Sequence, residues 1–131
     1  MRITFDTNIL ISAAISNGVV HKLFESCIIK HTIISSRYIQ DEFENDLLTD
    51  FNYSADRVSE LSEFMFRRLE FVTPLQISDI SISDPDDFPI LGTALAGKSE
   101  ILLTGDKVLY TLGEYHGIRI IKPRDFPPEL L

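Results

Sequence analysis

The sequence contains a single cysteine, Cys27, among its 131 residues. One cysteine excludes an internal disulfide bond and a zinc site built from cysteine thiolates. No apolar run approaches the length of a membrane-spanning helix. The first residues also lack the apolar stretch and the small-residue cleavage site of a signal peptide. Together these absences predict a cytoplasmic protein without a membrane association.

Basic residues are also scarce, since 12 Lys and Arg stand against 20 Asp and Glu and give a formal net charge of −8. Nucleic-acid binders usually gain affinity from Lys and Arg that neutralise phosphates, so this composition argues against a tight, sequence-reading binder. It does not exclude a nuclease in which bound cations cancel the charge of the site and hold the phosphate. The length suits one domain, and we predict a single domain over residues 1–131.

Several common catalytic motifs are missing. The chain has no phosphate-binding glycine loop and no Gly-x-Ser-x-Gly nucleophile elbow. His21, His31 and His116 are not spaced as metal ligands relative to one another, and we interpret them as surface or core residues. Cys27 lies among apolar neighbours, which favours buried packing over reactivity.

Short β-like runs alternate with longer helical stretches. Cap and breaker signals accompany the helices, among them Ser36 and Ser54 at two starts and Gly97 and Gly113 at two ends. The predicted strands are 2–5, 32–34, 71–72, 101–104 and 118–121, and the predicted helices are 7–14, 19–29, 36–48, 54–69, 87–96 and 106–112. This alternation is typical of βαβ units and predicts an α/β protein whose mainly parallel sheet is covered on both faces.

Acidic residues follow the predicted strands at the edge where parallel sheets bind ligands. Asp6 comes directly after the first strand, and Asp106 comes just after the fourth. Glu42 lies in the helix that follows the second strand, and Asp84 and Asp87 open the helix that precedes Asp106. Four segments can therefore direct carboxylates towards one place.

Each of these acids also has a structural explanation. Asp6 suits the N-cap of the first helix, and Glu42 suits a solvated helix face. The Asp84–Asp87 segment suits a turn followed by an N-cap, and Asp106 suits a turn into a helix. Taken singly, the structural explanations are the more common outcome. Taken jointly, they require four acids to reach the same sheet edge by accident.

Grouped carboxylates without cationic neighbours repel one another, so that their pKa values rise or a cation neutralises them. Ligand sets made only of oxygen select hard cations, which predicts Mg²⁺ or Mn²⁺. Such an ion can polarise a phosphodiester and activate a water molecule for in-line attack. The acids therefore predict metal-dependent phosphodiester hydrolysis without a Lys or His nucleophile.

Five segments of the chain resemble the motifs of PIN-domain nucleases. In chain order these are residues 3–10, Ser36 with Glu42 and Leu47, residues 84–96, residues 103–109 and residues 118–126. Each motif is weak alone, but the ordered set spans nearly the whole chain. The branch that it resembles most is formed by the small bacterial or archaeal PIN proteins related to VapC, which are classed as toxins of toxin–antitoxin pairs.

The resemblance implies a PIN-like three-layer fold, with a central parallel sheet of about five strands flanked by helices. It implies Mg²⁺- or Mn²⁺-dependent cleavage of single-stranded or structured RNA, and an antitoxin protein as a candidate partner. By position, the catalytic and metal-binding acids are Asp6, Glu42, Asp87 and Asp106, with Asn8, Asp84 and Thr104 as supporting polar groups at the rim. Asp84 and Asp87 open the same helix, so that both remain candidates for the inner position.

Two other functions compete with the nuclease. An aspartate-nucleophile phosphatase would use Asp6, but the chain has Asn8 where such sites carry a second aspartate, and Lys107 comes too late to be the usual partner lysine. A non-catalytic PIN-like interaction module is the other alternative. The complete set of acids argues against it, because a scaffold has no reason to keep repelling charges together.

Three consecutive apolar residues, Phe64, Met65 and Phe66, suggest a protein partner. One helix cannot turn all three side chains towards the same core. The surplus apolar surface predicts contact with a second copy of the chain, which would give a homodimer, or with an antitoxin segment. Packing of all three inside a helical layer is the alternative.

Overall fold

The structure is a computed structural model that describes residues 1–131. Six strands and six α-helices follow one another along the chain. The strands are β1 (Arg2–Phe5), β2 (Thr32–Ser35), β3 (Glu70–Phe71), β4 (Ile101–Leu103), β5 (Glu114–Tyr115) and β6 (Ile118–Ile121). The helices are α1 (Thr7–Ile15), α2 (Val19–Lys30), α3 (Arg37–Thr49), α4 (Ala55–Phe66), α5 (Asp87–Ala96) and α6 (Lys107–Leu112). Two short 3-10 helices, Pro123–Asp125 and Pro128–Leu130, end the chain.

The strands form one sheet in the order β3-β2-β1-β4-β6-β5. All neighbouring strands are parallel except β5 and β6. Consecutive residues of a strand point to opposite faces of its sheet. Because Ile3, Thr4 and Phe5 of β1 are all fully buried, helices cover both faces. The predicted three-layer α/β fold with a mainly parallel sheet is therefore confirmed.

Side-chain caps fix where several helices begin. The Ser36 hydroxyl accepts a hydrogen bond from the Ile39 amide at the start of α3. The Ser54 hydroxyl does the same for the Arg57 amide at the start of α4. These bonds satisfy backbone N–H groups that have no partner within the helix. Both helix starts agree with the sequence prediction for this reason.

The sequence pattern did not predict β5, which adds a sixth strand. A two-residue turn, His116-Gly117, joins β5 to β6, and Tyr115 pairs with Ile118 across it. His116 and Gly117 both have positive φ angles, of 49° and 84°. That geometry is typical of the type I′ turn, whose usual sequence signal is Asn-Gly or Asp-Gly. His-Gly is a weaker signal, and β5 has only two residues.

Aromatic pairs join β1 to α2 and α3 to α4 within the core. The rings of Phe5 and Phe24 meet edge to face with their centroids 5.7 Å apart, and those of Phe43 and Phe66 with 5.1 Å between them. Met65 and Phe66 of α4 are buried, whereas the Phe64 side chain points outward and is 45% exposed. The three consecutive apolar residues of α4 therefore divide between core and surface.

A close contact fixes the path of the loop before α5. The Leu75 amide donates a hydrogen bond to the Gly92 carbonyl, and a Cβ atom at position 92 would lie 2.2 Å from the Leu75 carbonyl oxygen. Only glycine permits this approach. The loop leads on to the acids that begin α5.

No helix in the structure combines the length and apolar character that a membrane crossing requires.

Candidate functional site

A small cavity of about 130 Å³, which we call the acidic cavity, lies at the carboxyl ends of β1 and β4. Acids make up most of its lining, and no basic side chain contributes to it. The lining residues are Asp6, Thr7, Asn8, Glu42, Asp46, Asp84, Asp86, Asp87, Ile90 and Asp106. The structure thus places the four predicted acids, together with Asn8 and Asp84, around one space.

Asp6 follows β1 and begins α1. One carboxylate oxygen, Oδ1, accepts a hydrogen bond from the Thr7 amide at 2.7 Å. The other, Oδ2, accepts one from the Thr104 hydroxyl at 2.6 Å. Burial raises the pKa of Asp6, the hydrogen bonds from Thr104 and Thr7 oppose that rise, and the negative charge of Asp106 adds to it. Asp6 is therefore both a helix cap and a member of the acidic cavity.

Thr104 forms hydrogen bonds with two of the acids from a buried position after β4. Its hydroxyl donates to Asp6 and accepts a hydrogen bond from the Asp106 amide at 3.0 Å. The predicted position of Thr104 was the rim of the site, but the structure buries the residue completely. Asp106 itself begins α6, where its Oδ1 accepts from the Val108 amide at 2.9 Å.

Glu42 enters the cavity from α3. Its carboxylate accepts a hydrogen bond from the Thr7 hydroxyl, so that α1 holds it in place. Burial raises the pKa of Glu42, and the negative charge of Asp6 is the largest of the charge effects that add to the rise. The sequence motif around Asp6 contains Thr7, but no pattern in the sequence indicated that its hydroxyl would reach α3.

Asp87 occupies the inner position at the start of α5. Its side chain is buried, and the carboxylate oxygen Oδ2 has no hydrogen-bond partner. Burial raises the pKa of Asp87 to about 7, and the negative charge of Asp106, a hydrogen bond between the two carboxyl groups when one is protonated, and the charges of Asp84 and Asp6 add to the rise. Asp84 lies at the exposed rim, where its Oδ1 accepts from the Asp86 amide at 3.0 Å.

Two further acids, Asp46 and Asp86, line the cavity and were not among the predicted site residues. Asp46 lies four residues after Glu42 in α3, on the same helix face. Helical spacing could therefore have found it. Burial is the largest cause of the raised pKa of Asp46, followed by the charge of Asp50. Asp86 is exposed at the rim beside Asp84.

The pKa of Tyr38 is raised by burial and in part by the negative charges around the cavity. Burial raises the pKa of its phenol to about 12, and the charges of Glu42 and three aspartates (Asp86, Asp84 and Asp87) add to the rise. Ionising Tyr38 would add one more negative charge beside these carboxylates. The negative charge of these acids therefore acts on Tyr38 as well as on the carboxyl groups that line the cavity.

The acids line one cavity, but their carboxylates do not converge on a single point. No three His, Cys, Asp or Glu side chains are arranged so that together they could hold a metal ion. Like charges repel, which opposes convergence of the carboxylates when no cation lies between them. An oxygen-lined cavity with surplus negative charge can nevertheless attract a hard cation that keeps part of its water shell. Fold and site thus define an α/β domain with an acidic cavity at the carboxyl edge of its sheet.

Comparison with known proteins identifies the family of this domain. A family model described as PIN domain matches residues 2–108, which is most of the chain. The protein therefore belongs to the PIN domain family, whose members are in general nucleases. No curated protein matches the sequence.

One solved structure with a similar fold is the crystal structure of VapBC2 from Rickettsia felis bound to a DNA fragment from their promoter. A chain of that complex superposes with a TM-score of 0.68 at 15% sequence identity, covering 93% of this chain and 98% of its own length. At that identity the likeness concerns the fold. The predicted membership of the PIN-domain family is confirmed by the family model, and the likeness to the VapBC2 chain agrees with the predicted fold.

Proposed function

We propose that this PIN domain is a metal-dependent endoribonuclease and the toxin component of a toxin–antitoxin pair. The observation that carries the proposal is the acidic cavity, in which seven of ten lining residues are Asp or Glu. At its inner end, a buried oxygen of Asp87 has no partner. A buried carboxylate oxygen without a partner is costly unless a ligand satisfies it.

Asp6, Glu42, Asp87 and Asp106 would hold Mg²⁺ or Mn²⁺. The donor set fits such a cation, because oxygen-only ligands select hard ions. The lack of a preformed group of three ligands fits Mg²⁺ as well, since that ion is usually bound through one or two carboxylates and several waters. When bound, the ion would supply electrostatic stabilisation of the phosphodiester and an activated water.

The chain's own residues prepare this site by holding the carboxylates. Thr104 donates to Asp6 and accepts from the Asp106 amide, so that it ties both acids to the end of β4. Thr7 donates to Glu42 and links α1 to α3. Asp87 has no such bond at Oδ2, and that oxygen remains free to bind a cation or a cation-bound water. Asn8 and Asp84 lie at the cavity wall as supporting polar groups.

The structural neighbour supports the toxin–antitoxin part of the proposal. VapBC2 of Rickettsia felis shares the fold over 93% of this chain. By analogy, we infer an antitoxin protein as the partner and the cytoplasm as the location. This step depends on likeness of fold, whereas the nuclease step depends on the acidic cavity.

Different observations bear on the two alternative functions. A phosphatase that uses Asp6 as a nucleophile is disfavoured, because both oxygens of Asp6 already accept hydrogen bonds and the side chain is buried. A non-catalytic PIN-like interaction module is the other candidate, because the lack of three assembled metal ligands fits a domain without an ion as well as it fits Mg²⁺. Calorimetric titration with Mn²⁺ separates this module from the nuclease, because only the nuclease requires an ion in the cavity.

Cleavage of a panel of labelled single-stranded and structured RNAs tests the proposal. We expect cleavage when Mg²⁺ or Mn²⁺ is present and none when a chelator is in excess, because the acids alone cannot stabilise a charged phosphodiester. Gel analysis of the products over time measures the rate. Equal cleavage with and without chelator, or intact RNA throughout the panel, would contradict a metal-dependent ribonuclease.

Self-association is a further expectation, based on the outward-facing Phe64, which is 45% exposed. The guanidinium groups of Arg67 and Arg68 lie over its ring, 5.4 and 5.5 Å from the ring centroid. We expect a homodimer that buries this ring, and Phe64→Ser should shift the equilibrium towards monomers. Light scattering over a wide concentration range measures this shift. A wild-type protein that stays monomeric throughout would argue against the dimer.

A further inference from the structure

An RNA strand needs positive charge beside the acidic cavity, which provides none from its own side chains. Binding to nucleic acid depends strongly on phosphate neutralisation by Lys and Arg. The nearest cations must therefore come from elements that end at the same edge of the sheet. Two lysines meet this condition, as does Arg37, which follows β2 and Ser36 but is paired with Asp41. Lys107 directly follows Asp106, and Lys122 directly follows β6.

The sheet register places Lys122 next to the site. Ile121, the last residue of β6, pairs with Leu103, the last residue of β4. The Thr104 amide donates a hydrogen bond of 3.0 Å to the Ile121 carbonyl. Adjacent strands lie about 4.8 Å apart, so that the Lys122 backbone continues beside Thr104, the residue that holds Asp6. Lys122 thus leaves the sheet at the carboxyl edge on which the acidic cavity lies.

An aromatic ring holds the Lys122 ammonium group. Its Nζ lies 4.8 Å from the ring centroid of Tyr110, within the range of a cation–π interaction. The Tyr110 amide donates to the Asp106 carbonyl at 3.0 Å, which places the ring one helical turn from Asp106. One turn of α-helix advances by about 5.4 Å. Tyr110 therefore holds the ammonium group against α6, the helix that begins at the cavity wall with Asp106.

Lys122 also has no carboxylate partner in a strongly acidic protein. The salt bridges in the structure are Arg2–Glu70, Arg37–Asp41 and His116–Asp79. A lysine held over a neutral ring keeps its charge available for an external anion. Lys107 differs, because it is exposed and no ring or carboxylate fixes its side chain.

We propose that Lys122 forms a phosphate subsite beside the acidic cavity, and that Tyr110 is the positioning residue that orients its ammonium group. The ligand is a backbone phosphate of single-stranded RNA, adjacent to the phosphodiester that enters the cavity. This inference deepens the proposed function and rests on it, because it assigns the path of the substrate strand. Lys122 takes no part in bond cleavage.

The test is binding of a fluorescent single-stranded RNA, measured by anisotropy at several salt concentrations with Ca²⁺ present and the RNA checked for intactness. For single strands, each neutralised phosphate contributes roughly 0.7 to the slope of log K against log[salt]. Lys122→Gln should therefore reduce the slope by about 0.7 and weaken binding about fivefold at 0.1 M salt. Lys122→Arg should restore most of both.

A matched control removes the same charge elsewhere. Lys98 follows α5 at the opposite edge of the sheet, close to Glu100, whose amide donates to the Arg2 carbonyl at the start of β1. Lys98→Gln should leave the slope unchanged. If Lys98→Gln and Lys122→Gln alter the slope equally, the effect is one of net charge and the subsite is refuted.

A double-mutant cycle tests the role of Tyr110. Tyr110→Phe keeps the ring and should bind RNA like wild type. Tyr110→Leu should weaken binding, yet cause no further loss in the Lys122→Gln background, because the ring acts through the ammonium group. Additive losses would overturn the positioning role. A wild-type protein that binds no RNA would refute the proposed function as well, whereas RNA binding indifferent to Lys122 would refute this inference alone.

Discussion

Asp6→Asn and Asp87→Asn are each expected to reduce metal-dependent RNA cleavage by about 100-fold or more. Loss of one electrostatic stabiliser of a transition state typically costs on the order of 10²–10³ in rate. Both acids line the acidic cavity and both are buried, so that solvent does not replace the lost charge. Initial rates on one labelled RNA at saturating Mn²⁺ measure the effect, and circular dichroism melts verify that each variant folds.

Asp56→Asn is the matched control for this experiment. Asp56 is exposed in the first turn of α4, away from the acidic cavity, and the substitution removes the same single charge. We expect it to cleave within about twofold of wild type, since surface substitutions of this kind change little. If Asp6→Asn and Asp87→Asn also cleave at the wild-type rate, the nuclease site lies elsewhere or does not exist.

The order of the elements could be predicted because the signals that set it are local. Ser36 and Ser54 cap their helices within three residues, and Gly97 and Gly113 follow the last residues of α5 and α6. Apolar runs that are buried on both faces of a parallel sheet are also visible in the sequence. β5 was not predicted, because its two residues form a strand through pairing with β6 and show no strand pattern of their own.

The candidate site was predictable in its acids but not in its geometry. The resemblance placed Asp87 among the metal-binding acids and Asp84 among the supporting groups, but the sequence left open which of the two takes the inner position. Tertiary packing makes Asp87 the buried one of the two. The hydrogen bonds of Thr7 to Glu42 and of Thr104 to Asp6 span 35 and 98 residues. Contacts at such separations leave no periodic signal. Thr104 was predicted at the rim of the site, and its burial likewise depends on tertiary packing that the sequence pattern does not show.

In the absence of metal, Asp87→Asn is expected to be more stable than wild type at pH 8. Burial and neighbouring charges raise the pKa of Asp87 from 3.8 to about 7, so that folding opposes its ionisation. The carboxylate at the start of α5 gains about 0.3–1 kcal/mol from the helix dipole, but the raised pKa shows that the unfavourable terms are larger. Relief of such functional strain is worth about 0.5–2 kcal/mol. Urea unfolding in chelator measures the difference.

The pH dependence gives the sign of this effect independently. A carboxyl group with a raised folded-state pKa contributes no penalty below its unfolded pKa, and its penalty grows as pH rises towards the folded value. The advantage of Asp87→Asn should therefore be full above pH 7 and shrink steadily towards pH 4. A stability difference that stays constant from pH 4 to pH 8 would show that Asp87 is not an acid held at a raised pKa.

Asp87 is a sharper probe of metal binding than Asp6. Asp6 caps α1 and accepts from Thr104. Asn at this position can still cap the helix, but its side-chain NH2 cannot accept from Thr104, so that the replacement also removes a structural bond. Asp87 Oδ2 has no bond to lose. Mn²⁺ at a hundredfold excess over its Kd should stabilise wild type by about 2.7 kcal/mol, and Asp87→Asn much less. The order of stability of the two proteins should therefore reverse between chelator and Mn²⁺. A structural role for Asp87 predicts the same order in both conditions, because no ion would then distinguish the carboxylate from the amide.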